Sequence, residues 1–524
     1  MEATKIIIGN TANQVGAGNW SWSLFVKCNC NNIKEILIHL HPTFKPNTYK
    51  LERTETRKYE SKPFTGWGTF NVQVEIKKNN GEINSYEHLL QFQEGGGESA
   101  FNQDESMDVD EFRNLREMQE MERSDFQEKL SKTDFQEHTS PSFWHGRLFT
   151  GVEAESPKIT WKSNLTPRND HDAPEWLTAS EYNDVLEVLE KKLEWLSELL
   201  MLSNRTVIYT GAGISCAAGI GQAARGASGG GKKGLRGGLM ALPTFTHYAL
   251  GALAKSGYIH NWVQQNHDGL PQKAGFPQES INEIHGSWYD PSNPVVLYSG
   301  NLKSEQYPWM VKEANTADLV IVLGTSLGGL NADQVAIKTA SRSRKNCDYQ
   351  GGGALGTVII NLQQTQQDGK TSLRIFGNSD DVMRKLLEKL CIPNPVLQPS
   401  TFKKDPRILV PYDSEGNRST KFKMWLDLRK GARVKLTNGH NCQGAGQPAY
   451  LHIGAQKAVE YEGKMRKNGP GHGYVQSYND EIVGITLIIE GQSMVLGQWW
   501  IEAAARGGPM SLPVVNIDPE VIKL

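Results

Sequence analysis

The stretch that decides the fold is TVIYTGAGISCAAGI, residues 206–220. Its first five residues are those of a buried strand, and they lead directly into a turn that contains two glycines. Glycine allows a tight turn and a close approach of the backbone to a phosphate. A helix after such a turn presents free N–H groups and its positive end to an anion. The stretch therefore predicts a strand, a phosphate-binding turn and a helix.

The surrounding pattern extends this unit into a parallel sheet. Thr178-Ala179-Ser180-Glu181 predicts a capping box at the start of a helix that runs toward residue 200. Apolar runs at 318–324 and 357–361 predict two more buried strands, and helical spacing covers residues 245–257 and 379–390. The apolar positions of the first helix are Tyr182, Val185, Leu186, Leu189, Leu193, Leu196 and Leu200. Strands that alternate with helices predict a Rossmann-like α/β domain with both sheet faces covered.

The regions on either side favour strands. Residues 1–93 alternate apolar and polar side chains between Gly, Pro and Asn, which predicts a small β-sandwich. From about residue 404, short runs such as RILVPY, KFKMWLDL and MVLGQWW predict an all-β domain. The fold class is multidomain, with an N-terminal β-sandwich, a central α/β domain over 178–392, a linker over 393–403 and a β-rich domain over 404–524.

A second linker is predicted over residues 94–177. Residues 104–137 contain twelve acidic and five basic residues, and SDFQE at 124–128 recurs as TDFQE at 133–137. This pattern is typical of a solvated, partly helical segment or of a tether for a partner protein.

Composition limits the partners. The 524 residues carry a formal net charge of −2, which gives no pull toward nucleic acid or anionic membrane, and no apolar run is long enough to span a bilayer. The six cysteines are scattered, and no basic region with a long apolar stretch opens the chain. We therefore expect an intracellular protein of the cytoplasm or nucleus, not a secreted one. Cys28 and Cys30 have no second pair at metal-ligand spacing.

Seven blocks of the central region resemble the sirtuin family in order and approximate spacing. They are GAGISCAAGI, PTFTHYALGAL, QQNHDGLPQKAG, INEIHG, NPVVLYSG, ADLVIVLGTSLG and GTVIINLQQT. The resemblance implies an inverted Rossmann fold that holds NAD. The turn differs from the dinucleotide fingerprint of dehydrogenases, because Cys216 stands at the position of its third glycine.

The resemblance also implies residue roles. Asn266 and Asp268 match the pair that grips nicotinamide, His285 matches the general base, and Gly300 matches the strand that pairs with an acyl-lysine peptide. In sirtuins the acyl oxygen attacks the ribose carbon as nicotinamide leaves, and a neutral imidazole can accept a ribose hydroxyl proton near pH 7. The catalytic residues expected are His285 and Asn266. The cofactor-binding residues expected are Gly211, Ala212, Gly213, Ile214, Arg225, Asn266, Asp268, Gly324, Thr325, Ser326 and Asn361.

Several departures from the family weaken the case for turnover. Only residues 287–293, without a cysteine, separate Gly286 from Pro294, where sirtuins carry two cysteine pairs, so we predict no zinc and no other metal. Ala224 replaces the phenylalanine that shields the reactive ribose, although Arg225 is kept. His267 replaces an aliphatic residue, Gln264-Gln265 replaces a Thr-Gln pair, and residues 328–331 lack the Val-x-Pro that helps clamp a peptide.

The N-terminal region resembles the YEATS family. HLHPTFKPN at 39–47 and PFTGWGTFNVQVEI at 63–76 carry the resemblance. YEATS domains bind acylated lysine between aromatic side chains, which suits a flat neutral amide. The residues that match the cage are His41, Thr43, Phe44, Gly66 and Trp67, and Phe70 is expected nearby.

The sequence leaves three functions open. The first is an NAD-dependent protein-lysine deacylase that also binds acylated lysine, with acylated proteins or other proteins as partners. The second is an inactive sirtuin-like scaffold in a larger chromatin or cytoskeletal assembly. The third is an NAD hydrolase, in which water replaces the acyl oxygen.

Overall fold

The computed structural model divides the chain into two compact units, unit 1 over residues 1–126 with 350–352 and unit 2 over 127–349 with 353–524. The structure describes all residues except 1–4, 17–18, 29–32, 41–43, 45, 56–57, 67–69, 80–81, 93–95, 103–108, 167–172, 221–237, 297–301, 345–352, 403–404, 438–449, 452–458, 461–471 and 490.

Unit 1 contains two antiparallel sheets. Its strands are β1 (Lys5–Gly16), β2 (Asn19–Cys28), β3 (Ile33–His39), β4 (Thr48–Lys50), β5 (Glu52–Glu55), β6 (Lys58–Glu60), β7 (Phe64–Gly66), β8 (Asn71–Lys78), β9 (Ile83–Leu89) and β10 (Gly97–Asn102). One sheet has the order β10-β1-β2-β6-β5, with β7 paired to β2, and the other has the order β4-β3-β8-β9. The alternating apolar residues of both sheets form one core that includes Trp22, Ile38 and Val74, as expected for a sandwich.

The sandwich continues beyond residue 93, where the sequence predicted that it ends. Strand β10 pairs with β1 along Lys5 to Asn10 and so completes the edge of the first sheet. After it, helix α1 spans Val109–Lys132. The segment predicted as a linker therefore contributes a strand to the sandwich.

The second half of that segment packs within unit 2. Phe143, Leu148 and Phe149 are buried. The buried Arg147 guanidinium donates to the Ser343 hydroxyl at 2.8 Å and to the Thr133 carbonyl at 2.8 Å. Strand β11 (Lys158–Trp161) pairs with β12 (Glu181–Asn183). These contacts make the described residues 134–166 and 173–183 part of unit 2.

The central sheet of unit 2 is parallel throughout and has six strands. They are β13 (Thr206–Thr210), β14 (Asn261–Gln264), β15 (Ile281–Glu283), β16 (Leu319–Leu323), β17 (Gly356–Ile360) and β18 (Leu373–Ile375). The order is β15-β14-β13-β16-β17-β18. From β13 the strand order proceeds to β14 and β15 on one side, and from β16 it proceeds to β17 and β18 on the other. The topological switch point therefore lies between β13 and β16, and open α/β sheets bind ligands at this point.

Six helices accompany this sheet in the described part of the chain. They are α2 (Leu186–Leu202), α3 (Phe245–Lys255), α4 (Leu270–Lys273), α5 (Gln306–Thr316), α6 (Gln334–Arg342) and α7 (Ser379–Lys389). The predicted Rossmann-like α/β architecture is confirmed. No helix among the described residues is both long and apolar enough to cross a membrane.

The predicted capping box is wrong. The Thr178 hydroxyl donates to Ser180 Oγ at 2.9 Å, and the Ser180 hydroxyl donates to the Ser163 carbonyl at 3.1 Å. Residues 181–183 form β12, and α2 begins only at Leu186, behind Val185, which supplies no side-chain cap. Because a distant carbonyl already uses the Ser180 hydroxyl, the local pattern does not decide where the helix begins.

The C-terminal region is mostly β, as predicted. Its strands are β19 (Arg407–Val410), β20 (Phe422–Asp427), β21 (Arg433–Leu436), β22 (Tyr450–Leu451), β23 (Val459–Glu460), β24 (His472–Asn479), β25 (Gly484–Ile489), β26 (Gln492–Gly497), β27 (Val514–Asn516) and β28 (Val521–Lys523). The run MVLGQWW is only half strand, because Trp499 begins helix α8 (Trp499–Arg506). Both Trp499 and Trp500 are buried in the core of this domain.

Candidate functional site

The turn after β13 lies against the turn after β16. The Gly213 N–H donates to the Gly324 carbonyl at 2.8 Å. A Cβ on Gly213 would lie 2.6 Å from Gly324 Cα, and Gly324 has a φ of +61°, so both positions require glycine. The residues after Gly211 form a 3-10 helix, Ala212–Ala218, which Gly219 ends in the left-handed conformation. The helix predicted after the turn is a short 3-10 helix.

The segment after β14 contacts this turn directly. Asn266 Nδ2 donates to the Gly211 carbonyl and to Ser215 Oγ, both at 3.1 Å. The Ser215 hydroxyl donates to Asp268 Oδ2 at 2.7 Å. Asn266, Asp268 and Ser215 are all buried. Ser215 joins the turn to both residues, and its place in the turn was the only feature of the sequence that pointed to it.

His285 follows β15 and lies beside the same segment. Burial, followed by the like charge of His267, lowers the pKa of His285 to about 4, while a hydrogen bond to the Gln265 backbone partly opposes the shift. The His267 Nδ1–H donates to the Gly286 carbonyl at 2.9 Å. Its bond therefore joins the segment after β14 to the turn that carries His285.

The turn after β16 adds a polar group to the same edge. The Thr325 hydroxyl donates to Gln265 Oε1 at 3.2 Å, and Asn361 Nδ2 donates to the Thr325 carbonyl at 3.2 Å. Ser326 is half-buried. Leu327 is fully buried at a φ of +48°, a strained conformation that a branched side chain adopts only where its surroundings enforce it.

A buried pair under this edge was not foreseen from the sequence. The Tyr209 hydroxyl donates to Asp333 Oδ1 at 2.7 Å, and Gln265 Nε2 donates to the Tyr209 oxygen. Asp333 Oδ2 accepts the Gly329 and Leu330 N–H groups at 2.8 and 2.9 Å. The loop that lacks Val-x-Pro is therefore held by a carboxylate.

A cavity of about 500 Å³ opens beside the end of the 3-10 helix that follows β13. Its lining residues are Ala217, Ala218, Met240, Ala241, Leu242, Pro243, Thr244 and Asp380. Trp288 and Tyr289 do not line this cavity, because they pack on the core of the C-terminal domain. Arg225 and Gly300 lie outside the described residues.

In unit 1, two of the five expected cage residues are described. Phe44 lies in an aromatic cluster, with its ring centroid 5.7 Å from that of Phe70, 6.0 Å from Phe64 and 6.1 Å from Trp22. A Cβ on Gly66 would lie 3.4 Å from Trp22 Nε1 and 3.8 Å from Phe44. His41, Thr43 and Trp67 lie outside the described residues.

Comparisons with known proteins match both regions. The YEATS family model matches residues 19–94. NAD-dependent protein deacetylase SRT1 of Arabidopsis thaliana is 30% identical over 256 residues, which cover 40% of this chain and 52% of that protein. NAD-dependent protein deacetylase Sirt6 of Drosophila melanogaster is 29% identical over 42% of this chain and 81% of that protein.

The chain combines a YEATS-like domain with a sirtuin-like core. It spans about half the length of the first curated relatives, the Arabidopsis protein and the SRT1 deacetylase of Oryza sativa, at 52% and 48%. A solved structure of a Sir2 enzyme superposes on 38% of this chain and 98% of its own at 25% identity, with a TM-score of 0.32.

Residues 287–293 of the sirtuin-like core, where the sequence predicts no zinc, form a closed turn. The Ser287 N–H donates to the Asn293 carbonyl at 2.8 Å, and the Asn293 N–H donates to the Asp290 carbonyl at 3.0 Å. Asp290 Oδ1 in turn accepts the Ser292 N–H at 2.9 Å and its hydroxyl at 2.7 Å. Among the residues that the structure describes, no group of three or more His, Cys, Asp or Glu could hold a metal ion.

Proposed function

We propose that this protein binds NAD at the carboxyl edge of the central sheet and removes acyl groups from protein lysine side chains. The observation that carries the proposal is the meeting, at one edge, of the Gly211–Ser215 turn, Asn266 with Asp268, and His285. These pieces follow β13, β14 and β15, three neighbouring strands. The names of the relatives, NAD-dependent protein deacetylases, support the same reaction.

The turns after β13 and β16 suit a dinucleotide. Neither Gly213 nor Gly324 has a side chain, and their backbones lie in contact at the switch point. A dinucleotide that binds there would therefore meet backbone atoms. We assign the diphosphate to Ala212, Gly213 and Ile214, and the neighbouring phosphate and ribose to Gly324, Thr325 and Ser326. The Asn361 amide, which already bonds the Thr325 carbonyl, is assigned to the adenosine ribose.

Asn266 and Asp268 have the hydrogen-bonding groups that a carboxamide requires. An Asn amide can donate to the carboxamide oxygen, and a carboxylate can accept from its nitrogen. Both side chains are buried, with Asp268 only 1% exposed, so a bond to either is made away from water. We assign the nicotinamide ring to this pair.

His285 is the proposed general base. When bound, NAD supplies a ribose carbon that becomes electrophilic as nicotinamide leaves. Since its pKa lies at about 4, His285 is neutral at pH 7 and can accept a ribose hydroxyl proton. His267 fixes the turn that carries it through the bond to the Gly286 carbonyl.

The YEATS domain is proposed to bind the acylated lysine that the core removes. Phe44, Phe64 and Phe70 form an aromatic cluster of the kind that suits a flat neutral amide. A binding module linked to a catalytic one raises the local concentration of substrate. Acylated proteins of the cytoplasm or nucleus are the proposed partners.

One observation favours a second candidate, an inactive scaffold. A general base works best when its pKa lies near the working pH, and a pKa of about 4 makes His285 a weak acceptor. The replacement of the shielding phenylalanine by Ala224 points the same way. NAD hydrolysis is the third candidate, because water needs fewer contacts than a peptide.

The test is nicotinamide release from NAD by the full chain, with and without an acetylated peptide, and with His285→Ala as control. A deacylase releases nicotinamide only when peptide is present, and His285→Ala abolishes the release. If nicotinamide is released at the same rate with and without peptide, the protein is an NAD hydrolase and not a deacylase. If wild type releases no nicotinamide in either condition, the result supports the inactive scaffold.

A further inference from the structure

The closed turn of residues 287–293 carries Tyr289 into the C-terminal domain. Tyr289 is fully buried, and its ring centroid lies 4.9 Å from that of Trp499 at the start of α8. The Gly497 N–H donates to the Tyr289 carbonyl at 3.0 Å. The C-terminal domain therefore holds this residue by both its backbone and its ring.

Tyr289 and Trp499 also pack against Gly269, the residue after Asp268. Gly269 has a φ of +64°, and a Cβ there would lie 2.7 Å from Tyr289 Cδ2 and 2.9 Å from Trp499 Cη2. The Trp499 indole N–H donates to Gln278 Oε1 at 2.9 Å, and Arg506 forms two bonds with Glu279 at 2.9 and 3.0 Å. The domain interface thus adjoins the proposed nicotinamide pair.

The Tyr289 hydroxyl connects this interface to the wall of the cavity. It donates to the Leu239 carbonyl at 2.7 Å. The Lys273 ammonium donates to the same carbonyl at 2.6 Å and to the Ala241 carbonyl at 3.1 Å, and lies 5.1 Å from the centre of the Tyr289 ring. Two buried donors therefore fix the start of the segment from Leu239 to Thr244.

That segment ends on the turn after β13. Its residues 240–244 line the cavity of about 500 Å³, and the Thr244 hydroxyl donates to the Ile214 carbonyl at 3.1 Å. Ile214 is one of the residues assigned to the diphosphate. A continuous set of contacts therefore runs from Trp499 through Tyr289 and Leu239 to the proposed phosphate site.

We infer that Tyr289 is a positioning residue for the NAD site and that the C-terminal domain is a structural part of that site. The domain acts through a buried tyrosine of the segment where the resemblance to sirtuins places a zinc module. It fixes Leu239, the residue directly before the cavity wall, and abuts Gly269 beside Asp268. This inference rests on the proposed function, since it gives the C-terminal domain a role in NAD binding.

The test compares two Tyr→Phe variants of the full chain. Tyr289→Phe keeps the ring and removes the bond to the Leu239 carbonyl. Tyr412→Phe removes an equivalent bond, from a fully buried hydroxyl to the Pro509 carbonyl at 2.7 Å, within the C-terminal domain. Calorimetry with NAD is expected to give a Kd raised about fivefold or more for Tyr289→Phe and unchanged for Tyr412→Phe. In a turnover assay KM for NAD should rise more than kcat falls.

A second readout needs no NAD. Hydrogen exchange of the amides of residues 239–247 in the free protein should be faster in Tyr289→Phe than in wild type or Tyr412→Phe. Equal NAD affinity and equal exchange in the two variants would overturn the inference. If wild type binds no NAD, the proposed function fails, and the exchange result alone decides whether Tyr289 fixes this wall.

Discussion

At the scale of single residues, the setting of His285 determines how the proposed reaction responds to pH. Burial is the largest cause of its lowered pKa, and the nearby His267 adds to it. Both favour the neutral imidazole, because a charged ring would lose hydration and face a like charge. The base is therefore in its working form at any pH well above 4.

We predict that nicotinamide release driven by acetylated peptide has the same kcat between pH 5.5 and pH 8. Only as the pH falls toward about 4 would protonation of His285 remove the base. The rate is measured at saturating NAD across this range, with circular dichroism to confirm that the protein stays folded. An acid limb near ~6.5, the ordinary histidine pKa, would contradict the assignment.

Substitution of two glycines, one at the contact and one as a control, tests the close approach of the turns after β13 and β16. Gly213→Ala places a methyl group 2.6 Å from Gly324 Cα, and we expect a loss of about 1–3 kcal/mol in the free energy of unfolding. Gly251→Ala in α3 is the control, because its Cβ would make only an ordinary contact 3.9 Å from the Ala274 carbonyl. Alanine favours the helix, so the control should gain about 0.5–1 kcal/mol. Denaturant unfolding measures both, and equal effects would refute the packing described.

At the scale of elements, a buried ion cluster joins α2 to the far edge of the sheet. Asp184 Oδ1 accepts the Lys192 ammonium at 2.6 Å, and Asp184 Oδ2 accepts the Phe376 N–H at 2.8 Å. Arg374 on β18 lies 2.9 Å from Asp368. Burial raises the pKa of Asp184 and lowers that of Lys192 to about 8, so loss of hydration outweighs their attraction.

We predict that Asp184→Asn costs about 3–5 kcal/mol of unfolding free energy, because it leaves the Lys192 charge buried without its partner. The double variant Asp184→Asn with Lys192→Met should recover most of that loss, since it removes the charge as well. Urea unfolding of both variants checks this. A double variant no more stable than the single one would show that the ion pair is not the cause.

Local pattern predicted the elements whose own residues determine them. The runs at 206–210, 318–324 and 357–361 are strands β13, β16 and β17, because continuous apolar residues suit a sheet covered on both faces. Helical spacing also located α3 and α7. The start of α2 at Leu186 and the helix that begins at Trp499 were missed. Nearby residues make contacts distant in sequence, between Ser180 and Ser163 and between Trp499 and Tyr289, which local spacing does not specify.

The candidate site was predictable only in part, for the same reason. The motifs placed Asn266, Asp268 and His285 after strands that proved to be neighbours. The contacts that join them, through Ser215, Gln265 and the carbonyl of Gly286, depend on which strands pair and on backbone direction. No spacing along the chain specifies those contacts.

At the scale of the whole molecule, the YEATS domain should affect capture of substrate and not the chemical step. Phe44→Ala opens the aromatic cluster, so we expect binding of an acetyl-lysine peptide to weaken about tenfold. Nicotinamide release at saturating peptide should not change. Fluorescence anisotropy measures the first effect and the release assay the second.

The matched control is Phe25→Ala. Phe25 is a buried phenylalanine of the same unit, and it packs beside Lys27 and Lys58, away from the cluster. If Phe25→Ala and Phe44→Ala weaken peptide binding equally, the effect comes from general destabilisation, and the aromatic cluster is not the acyl-lysine site.

The central claim is that the turn after β13 and the Asn266–Asp268 pair bind two parts of one dinucleotide. Calorimetric titration of the full chain with NAD and with ADP-ribose, for wild type and Asn266→Ala, tests it most directly. We predict that wild type binds both ligands at one site, and that Asn266→Ala weakens NAD binding while ADP-ribose, which lacks nicotinamide, binds as before. Absence of NAD binding to wild type, or an equal loss of both ligands in the variant, would contradict the account.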